Sequence, residues 1–366
     1  MSPLDLSANR ALPYALRARV EFRDPENCLR RLCDHMREHG MHVHEDDGVF
    51  TVILPDVVGS LSKDGRYVTV EAAAADLEAF YFVKMWLQAE FSELAGHPAP
   101  LIEWNEESRN LRFPPSFRTL AVVTVRDITP RMRRITFKGN DLNRFDTLSA
   151  LHLQLLINLG AVTEQCRRQC DFSDSETLQD APVWRRYTVR SVDRARGTID
   201  VDFFLHGSSG PGANWARQAR PGDLVGVAGP SGGGIAKANW YFLAGDETAL
   251  PAIARILECL PATARGIATI EVASERERQA LAVPSGIAIE WLYRENSSDA
   301  CPHSLLNALE STVFPALGES RFAWIGCEAT LAKKIRAHLR SALAFTKSEQ
   351  LVVAYWHGHG DEPVRS

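Results

Sequence analysis

Between residues 117 and 229 the chain carries six short strand-like runs, at 117–125, 132–138, 151–157, 185–191, 198–206 and 223–229, with turn residues and no long helical pattern between them. Strands must find hydrogen-bond partners, and six with no helix to cover them predict a closed antiparallel barrel. From residue 239 the rhythm changes: strand 239–244, helix 249–260, strands 266–272 and 287–292, helix 302–311, strand 321–326, helix 328–343 and strand 350–356. That alternation is the mark of a parallel sheet covered by helices.

Ahead of the barrel lies a different kind of sequence. Residues 1–110 hold 11 Lys and Arg against 19 Asp and Glu, whereas the remainder holds 30 against 27. An acidic stretch before a mildly basic body predicts an independent module, with a linker near 100–114 between the HPAP and FPP turns. Within it, Leu29, Leu32, Cys33 and Met36 share one apolar face of a helix over 25–39, started by Asp24 as N-cap and Pro25 at the first position. Short strands at 49–54 and 66–70 and a helix from 76 to 94 complete a small α+β domain. The 366 residues thus divide into 1–110, an α+β domain of unknown role; 111–234, the barrel; and 235–366, the α/β domain.

Several functions are excluded. The net charge is −5 and no Lys/Arg block is dense enough to bind nucleic acid. No run of ~18 apolar residues is present to cross a membrane, and the first residues lack the pattern of a secretory signal. Seven cysteines scattered at 28, 33, 166, 170, 259, 301 and 327 fit a reducing compartment, so a soluble cytoplasmic protein is expected.

A barrel followed by an α/β domain suggests a flavin reductase, and Arg185-Arg186-Tyr187-Thr188-Val189-Arg190 carries the most chemistry. On a strand, Arg185, Tyr187 and Val189 point one way and Arg186, Thr188 and Arg190 the other. Such a segment can offer a guanidinium to a flavin phosphate, a phenol to the ring face and a hydroxyl near the ring nitrogen N5; it equally suits a charged edge strand. Downstream, Asp202-Phe203-Phe204-Leu205-His206-Gly207 ends a strand, and Gly210-Pro211-Gly212-Ala213-Asn214-Trp215-Ala216 opens a helix whose amides would hold a pyrophosphate. His206 reads either as a ligand or as a packed strand-end histidine, and Trp215 by itself reads as core. Glycines 229–234 allow either a close ligand approach or an interdomain hinge. In the first βα turn, Gly245-Asp246-Glu247-Thr248, the two carboxylates would repel a dinucleotide pyrophosphate, and the usual glycine fingerprint is absent.

Taken in order, RRYTVR, DFFLHGSSGPGANWA, PGDLVGVAGPSGG, LAGDETALPAI, AWIGCEA and AYWHGHG closely resemble the siderophore-interacting protein family of flavin-dependent ferric-siderophore reductases, over residues 115–360. The resemblance implies a ferredoxin-reductase type fold, with an FAD-binding barrel and an NAD(P)H-binding α/β domain. It places Arg185, Tyr187, Thr188 and the neighbouring Val189 on FAD, and Arg190, His206, Gly212, Ala213 and Trp215 around its phosphates or adenosine. Gly245, Asp246, Glu247 and Thr248 would line the nicotinamide cleft, with Tyr355 and Trp356 near the flavin. Residues 15–105 resemble an uncharacterised domain sometimes fused to such reductases, whose open role leaves room for a protein partner. Where the family often has Arg after Tyr-Trp, this chain has His357, so a charged contact there would depend on pH.

The implied activity is NAD(P)H-driven reduction of chelated Fe(III) to Fe(II), which is held far more weakly and is released. No protein-bound metal or covalent nucleophile is expected, because electron transfer needs proximity. A wide basic cleft would suit an anionic ferric siderophore, with Lys333, Lys334, Arg336 and His357 as candidate contacts; a solvated helix face explains the three on 333–336 equally. Ser274, Arg276 and Arg278 favour NADPH, although Glu275 suits the ribose of NADH. The rivals are a general flavin or quinone reductase, and a flavin- or siderophore-binding carrier or sensor without NAD(P)H turnover. His35, His39, His42 and His44 read as exposed histidines before a metal site, and Cys166 and Cys170 as an incidental pair.

Overall fold

A computed structural model describes residues 12–38, 41–95, 100–105, 113–157, 183–205, 210–296, 304–316 and 318–356. His39, Cys166, Cys170, His206 and His357 lie outside them. The chain divides into two compact units, residues 1–117 and 118–366.

In the first unit the sequence folds as β1 (Tyr14–Glu21), α1 (Pro25–Glu38), β2 (Val43–Asp46), β3 (Val49–Ile53), β4 (Val57–Asp64), β5 (Tyr67–Ala74), α2 (Leu77–Ala95) and β6 (Ile102–Trp104). Asp24 caps α1 as expected, its Oδ1 accepting from the Asn27 amide at 3.1 Å. The sheet runs β2-β3-β4-β5-β1-β6, antiparallel throughout. Its core joins Leu16, Val20, Val68 and Val70 of the sheet to Leu32 and Met36 of α1 and Phe80 and Phe91 of α2. Two expected strands thus become six. In β1, YALRARVE, the alternation is plain once seen, with Leu16, Ala18 and Val20 buried between exposed arginines. In β4, VVGSLSKD, glycine and serines hide it. Cys28 and Cys33 are buried, and burial pushes their thiols up to about 12 and about 11, so neither is a reactive thiolate.

The second unit begins with the barrel: β7 (Arg118–Thr129), β8 (Met132–Lys138), β9 (His152–Ile157), β10 (Val183–Asp193), β11 (Thr198–Phe204), α3 (Pro211–Gln218) and β12 (Leu224–Ser231). The order β10-β11-β8-β7-β12-β9 closes on itself, as the six sequence runs predict. Phe137, Phe145, Leu153, Leu155, Val189, Val201, Phe203 and Val227 fill its interior. There follow β13 (Trp240–Gly245), α4 (Leu250–Cys259), β14 (Arg265–Val272), β15 (Gly286–Tyr293), α5 (Ser304–Ser311), β16 (Arg321–Glu328), α6 (Ala329–Ser341) and β17 (Gln350–Trp356). Their sheet is parallel, in the order β15-β14-β13-β16-β17. Alternate residues of β13 face opposite sides: Tyr241 and Leu243 pack with α4, Phe242 and Ala244 with α5 and α6.

Polar contacts lock barrel and sheet together. Arg255 of α4, buried, donates to the carbonyls of Val189 at 2.8 Å, Thr147 at 2.9 Å and Phe145. Glu277 accepts from the Thr129 hydroxyl and from the Arg131 amide at 3.2 Å. The glycines 229–234 are therefore no hinge: a Cβ on Gly234 would lie 1.7 Å from the Leu148 carbonyl oxygen, so glycine is there for close packing of protein on protein.

Candidate functional site

The strand order of the parallel sheet reverses between β13 and β16, and a ligand crevice is expected beyond the carboxyl ends of strands at such a point. Here that crevice is closed on its other side by the barrel, giving a cleft of about 1010 Å³. This is at the upper end of the ~300–1,000 Å³ of small-molecule and cofactor pockets.

The barrel wall is built by β10 and α3. Arg185, Arg186, Tyr187 and Thr188 line it, together with Gly212 and Ala213. Tyr187, half-buried, packs on Phe203 with ring centres 4.3 Å apart, and desolvation pushes its phenol up to about 12, so it stays protonated. Gly212 has no side chain because Tyr187 leaves no room: a Cβ would lie 1.9 Å from the tyrosine oxygen. No side chain caps α3, whose first turn faces the cleft beside these arginines. Thr188 is 4% exposed, and its hydroxyl lies against the Tyr355 phenol at the floor of the cleft. The guanidiniums of Arg131, Arg185 and Arg186 all line the cleft, and none pairs with a carboxylate among the described residues. These donors fit a flavin with a pyrophosphate tail, the group expected from the sequence.

The opposite wall is acidic but already satisfied. Asp246 is fully buried; its Oδ1 accepts from the Thr248 amide at 2.8 Å and from the Thr248 hydroxyl, and its Oδ2 from Trp356 Nε1 at 2.7 Å. Burial raises its pKa and those hydrogen bonds pull it back. Glu247 pairs with Arg294 and accepts from the Ala273 amide at 2.8 Å, while Arg294 also holds Glu271 at 3.1 Å. Glu328 caps α6 through the Leu331 amide at 2.9 Å. Between the two walls, His152 of β9 and Tyr355 of β17 meet, Nε2 to Oη at 2.6 Å. Desolvation, with Arg186 and Arg255 nearby, lowers His152 to about 4, so the imidazole is neutral. Tyr355 is raised by burial and remains a phenol.

The cleft gathers Arg185, Tyr187, Thr188, Gly212, Ala213, Asp246, Glu247, Thr248, Tyr355 and Trp356 from the residues singled out in the sequence. Others are placed elsewhere. Val189 points into the barrel core, and Arg190 on the other face makes a bidentate pair with Glu258 of α4, Nη1 to Oε2 at 2.6 Å. Trp215 lies on Phe137 and Phe203. Gly245 lets Ala249 and Gly326 approach. Lys333 and Lys334 are exposed on α6, and Arg336 donates to the Val352 carbonyl at 2.8 Å; none of the three lines the cleft. Missed in the sequence were Arg131, His152, Arg294 and Glu328. Only Arg186's neighbour in register, Gln154, and Thr188's, His152, carried a trace of the site, and register is invisible before the strands are paired.

A closed barrel that matches an FAD-binding domain, joined to a parallel sheet across one cleft, defines a flavoprotein. Residues 121–234 match the siderophore-interacting FAD-binding domain, residues 238–359 the siderophore-interacting protein family, and residues 17–105 an uncharacterized protein family conserved in bacteria (DUF2218). Ferric vibriobactin reductase ViuB of Vibrio cholerae is 30% identical over 244 residues, covering 65% of this chain and 89% of that protein. The NADPH-dependent ferric-chelate reductase of Escherichia coli is 28% identical over 256 residues, 66% and 93% of the two chains. The crystal structure of a siderophore utilization protein from T. fusca superposes with a TM-score of 0.56 at 37% identity, over 66% of this chain and 92% of that one. The chain belongs to the siderophore-interacting protein family.

Proposed function

We propose that the chain is an FAD-dependent NAD(P)H:ferric-siderophore oxidoreductase that frees iron by reducing Fe(III) to Fe(II). One observation carries this reading: the cleft sets three arginines without carboxylate partners, Arg131, Arg185 and Arg186, against a wall whose carboxylates are all engaged. Such a cleft attracts anions to its barrel side, where a flavin pyrophosphate and an anionic ferric chelate both need cations. Bound FAD supplies a carrier that accepts a hydride and passes electrons on singly, as iron requires. Arg185 and the open first turn of α3 would hold the pyrophosphate. Tyr187 would pack on the ring system, and the Thr188 hydroxyl would donate to or accept from a ring nitrogen. The His152–Tyr355 hydrogen bond fixes the phenol beside Thr188. The names of the vibriobactin reductase and of the NADPH-dependent ferric-chelate reductase support the substrate and donor classes. Arg131 and Arg186, not the exposed lysines of α6, are the substrate contacts this cleft favours.

The test is an anaerobic titration of the FAD-loaded protein with NADPH or NADH, then with a ferric hydroxamate and a ferrous trap. Bleaching of the oxidised flavin band, its return on adding the chelate, and trapped Fe(II) are expected. A flavin that stays oxidised with both nicotinamides would overturn the donor assignment and leave a carrier. Equal turnover with quinones and ferric chelates would favour a general reductase.

A further inference from the structure

The turn that carries Arg131 does not set its own shape. Thr129 pairs with Met132, so β7 and β8 are joined by two residues, Pro130 and Arg131. Two-residue hairpins usually have a positive φ at one or both positions, which matches the twist of the strands, whereas other turns splay them. Neither Pro130 nor Arg131 has a positive φ, and the ladder is already irregular between Asp127 and Thr129. Both peptide groups of Arg131 are instead tied from outside the hairpin. Its carbonyl accepts from the Leu205 amide at 2.7 Å, and its amide donates to Glu277 Oε2 at 3.2 Å. The same Glu277 oxygen accepts from the Thr129 hydroxyl, so one atom spans the turn. Glu277 follows β14 in the α/β half of the unit, is 5% exposed, and makes no ion pair among the described residues. A buried carboxylate without a cation is costly, but its charge makes each hydrogen bond it accepts stronger than a neutral acceptor would. Arg131, whose amide it holds, does not fold back to pair with it. That side chain lines the cleft with Phe204, Gly210 and Pro211, and Glu277 does not.

We propose that Glu277 is a positioning residue: from the α/β half it clamps the β7–β8 turn of the barrel and thereby presents Arg131 to an anionic ferric chelate in the cleft. This rests on the reductase reading above and names a residue outside the cleft on which its preference among chelates depends. Without the clamp the turn can pivot, the guanidinium spreads over several positions, and its attraction for a bound anion falls.

The test binds two gallium(III) trihydroxamates to the FAD-loaded protein, one with a tail that ends in an ammonium group and one with that amine succinylated. The metal core is the same and only the tail charge differs. Gallium(III) is not reduced, so calorimetry reads affinity without turnover. Wild-type protein should favour the anionic chelate. In Glu277→Ala the dissociation constant of the anionic chelate should rise about tenfold while that of the cationic one changes less than about twofold. Glu277→Gln, which keeps an acceptor oxygen, should stay within about threefold of wild type. Arg131→Ala should lose the preference, and adding Glu277→Ala to it should bring no further loss. If Glu277→Ala does not fold, Thr129→Val, of nearly the same shape, takes its place and should weaken the anionic chelate by about threefold. An anion preference kept in either folded variant, or a further loss in the double variant, would overturn the proposal, because Glu277 would then only stabilise the turn. Equal or absent affinity of the wild type for the two chelates would overturn it as well. The iron(III) complexes of the same ligands test the reaction separately: the expected gallium pattern without reduction of iron would leave the clamp standing and remove the reductase reading.

Discussion

Gly212 and Tyr187 show how a single missing carbon shapes the cleft. The tyrosine oxygen occupies the space a Cβ would need, and Phe203 at 4.3 Å keeps the ring from stepping aside. Gly212→Ala should therefore displace Tyr187 and weaken FAD binding by about tenfold or more, since even one misplaced methyl group in close packing costs ~1–3 kcal/mol. Fluorescence titration of the apoprotein with FAD reads this directly, and an unchanged affinity would separate Tyr187 from the flavin. His152 makes a second residue-scale prediction. Its imidazole titrates near 6.5 in the unfolded chain and about 4 when buried here. Between those values the unfolded chain binds a proton that the folded chain does not, so this group's share of stability is lost as pH falls from about 6.5 toward 4. The loss is at most about 3 kcal/mol. His152→Gln should flatten that part of the profile, measured as urea midpoints at pH 7 and pH 5. Parallel profiles for the two proteins would contradict it.

At the scale of elements, α4 is held to the barrel by Arg255 together with the Glu258–Arg190 pair. Arg255 makes no ion pair with a carboxylate among the described residues, and its guanidinium donates to three barrel carbonyls. Its pKa is lowered by burial first, then tempered by Cys259 and Asp146. Removing it leaves those acceptors without partners at a buried junction, so Arg255→Ala should cost about 3 kcal/mol or more in urea unfolding of the whole protein. A small loss would mean that Arg190–Glu258 and Glu277 hold the junction without it. The same geometry fixes the cleft width, because α4 begins at the turn that forms its acidic wall.

At the scale of the molecule, the chain comprises an α+β unit over residues 1–117 and a barrel-plus-sheet unit over residues 118–366, each with its own core. All the residues of the cleft belong to the second unit. Residues 118–366 produced alone should therefore fold and bind FAD with the affinity of the full chain, checked by flavin absorbance and titration. Loss of flavin from that fragment would show that the acidic unit takes part in the site.

The amino-acid sequence determined the elements and the class, because apolar alternation and helix caps act within a few residues. Six runs without a helix demand a barrel, the later βα rhythm demands a parallel sheet, and RRYT sits on β10 as its pattern requires. Tertiary structure decided what each charge does. Arg190 and Arg186 share a motif, yet one meets Glu258, 68 residues away, and the other is left facing the cleft. Asp246 and Glu247 read as a repulsive pair until Trp356, 110 residues on, and Arg294 are seen to hold them. His152 gains its role only from Tyr355, 203 residues later. Hydrophobic pattern is local, but the partner that satisfies a buried polar group is chosen by chain closure, and no spacing in the sequence records it.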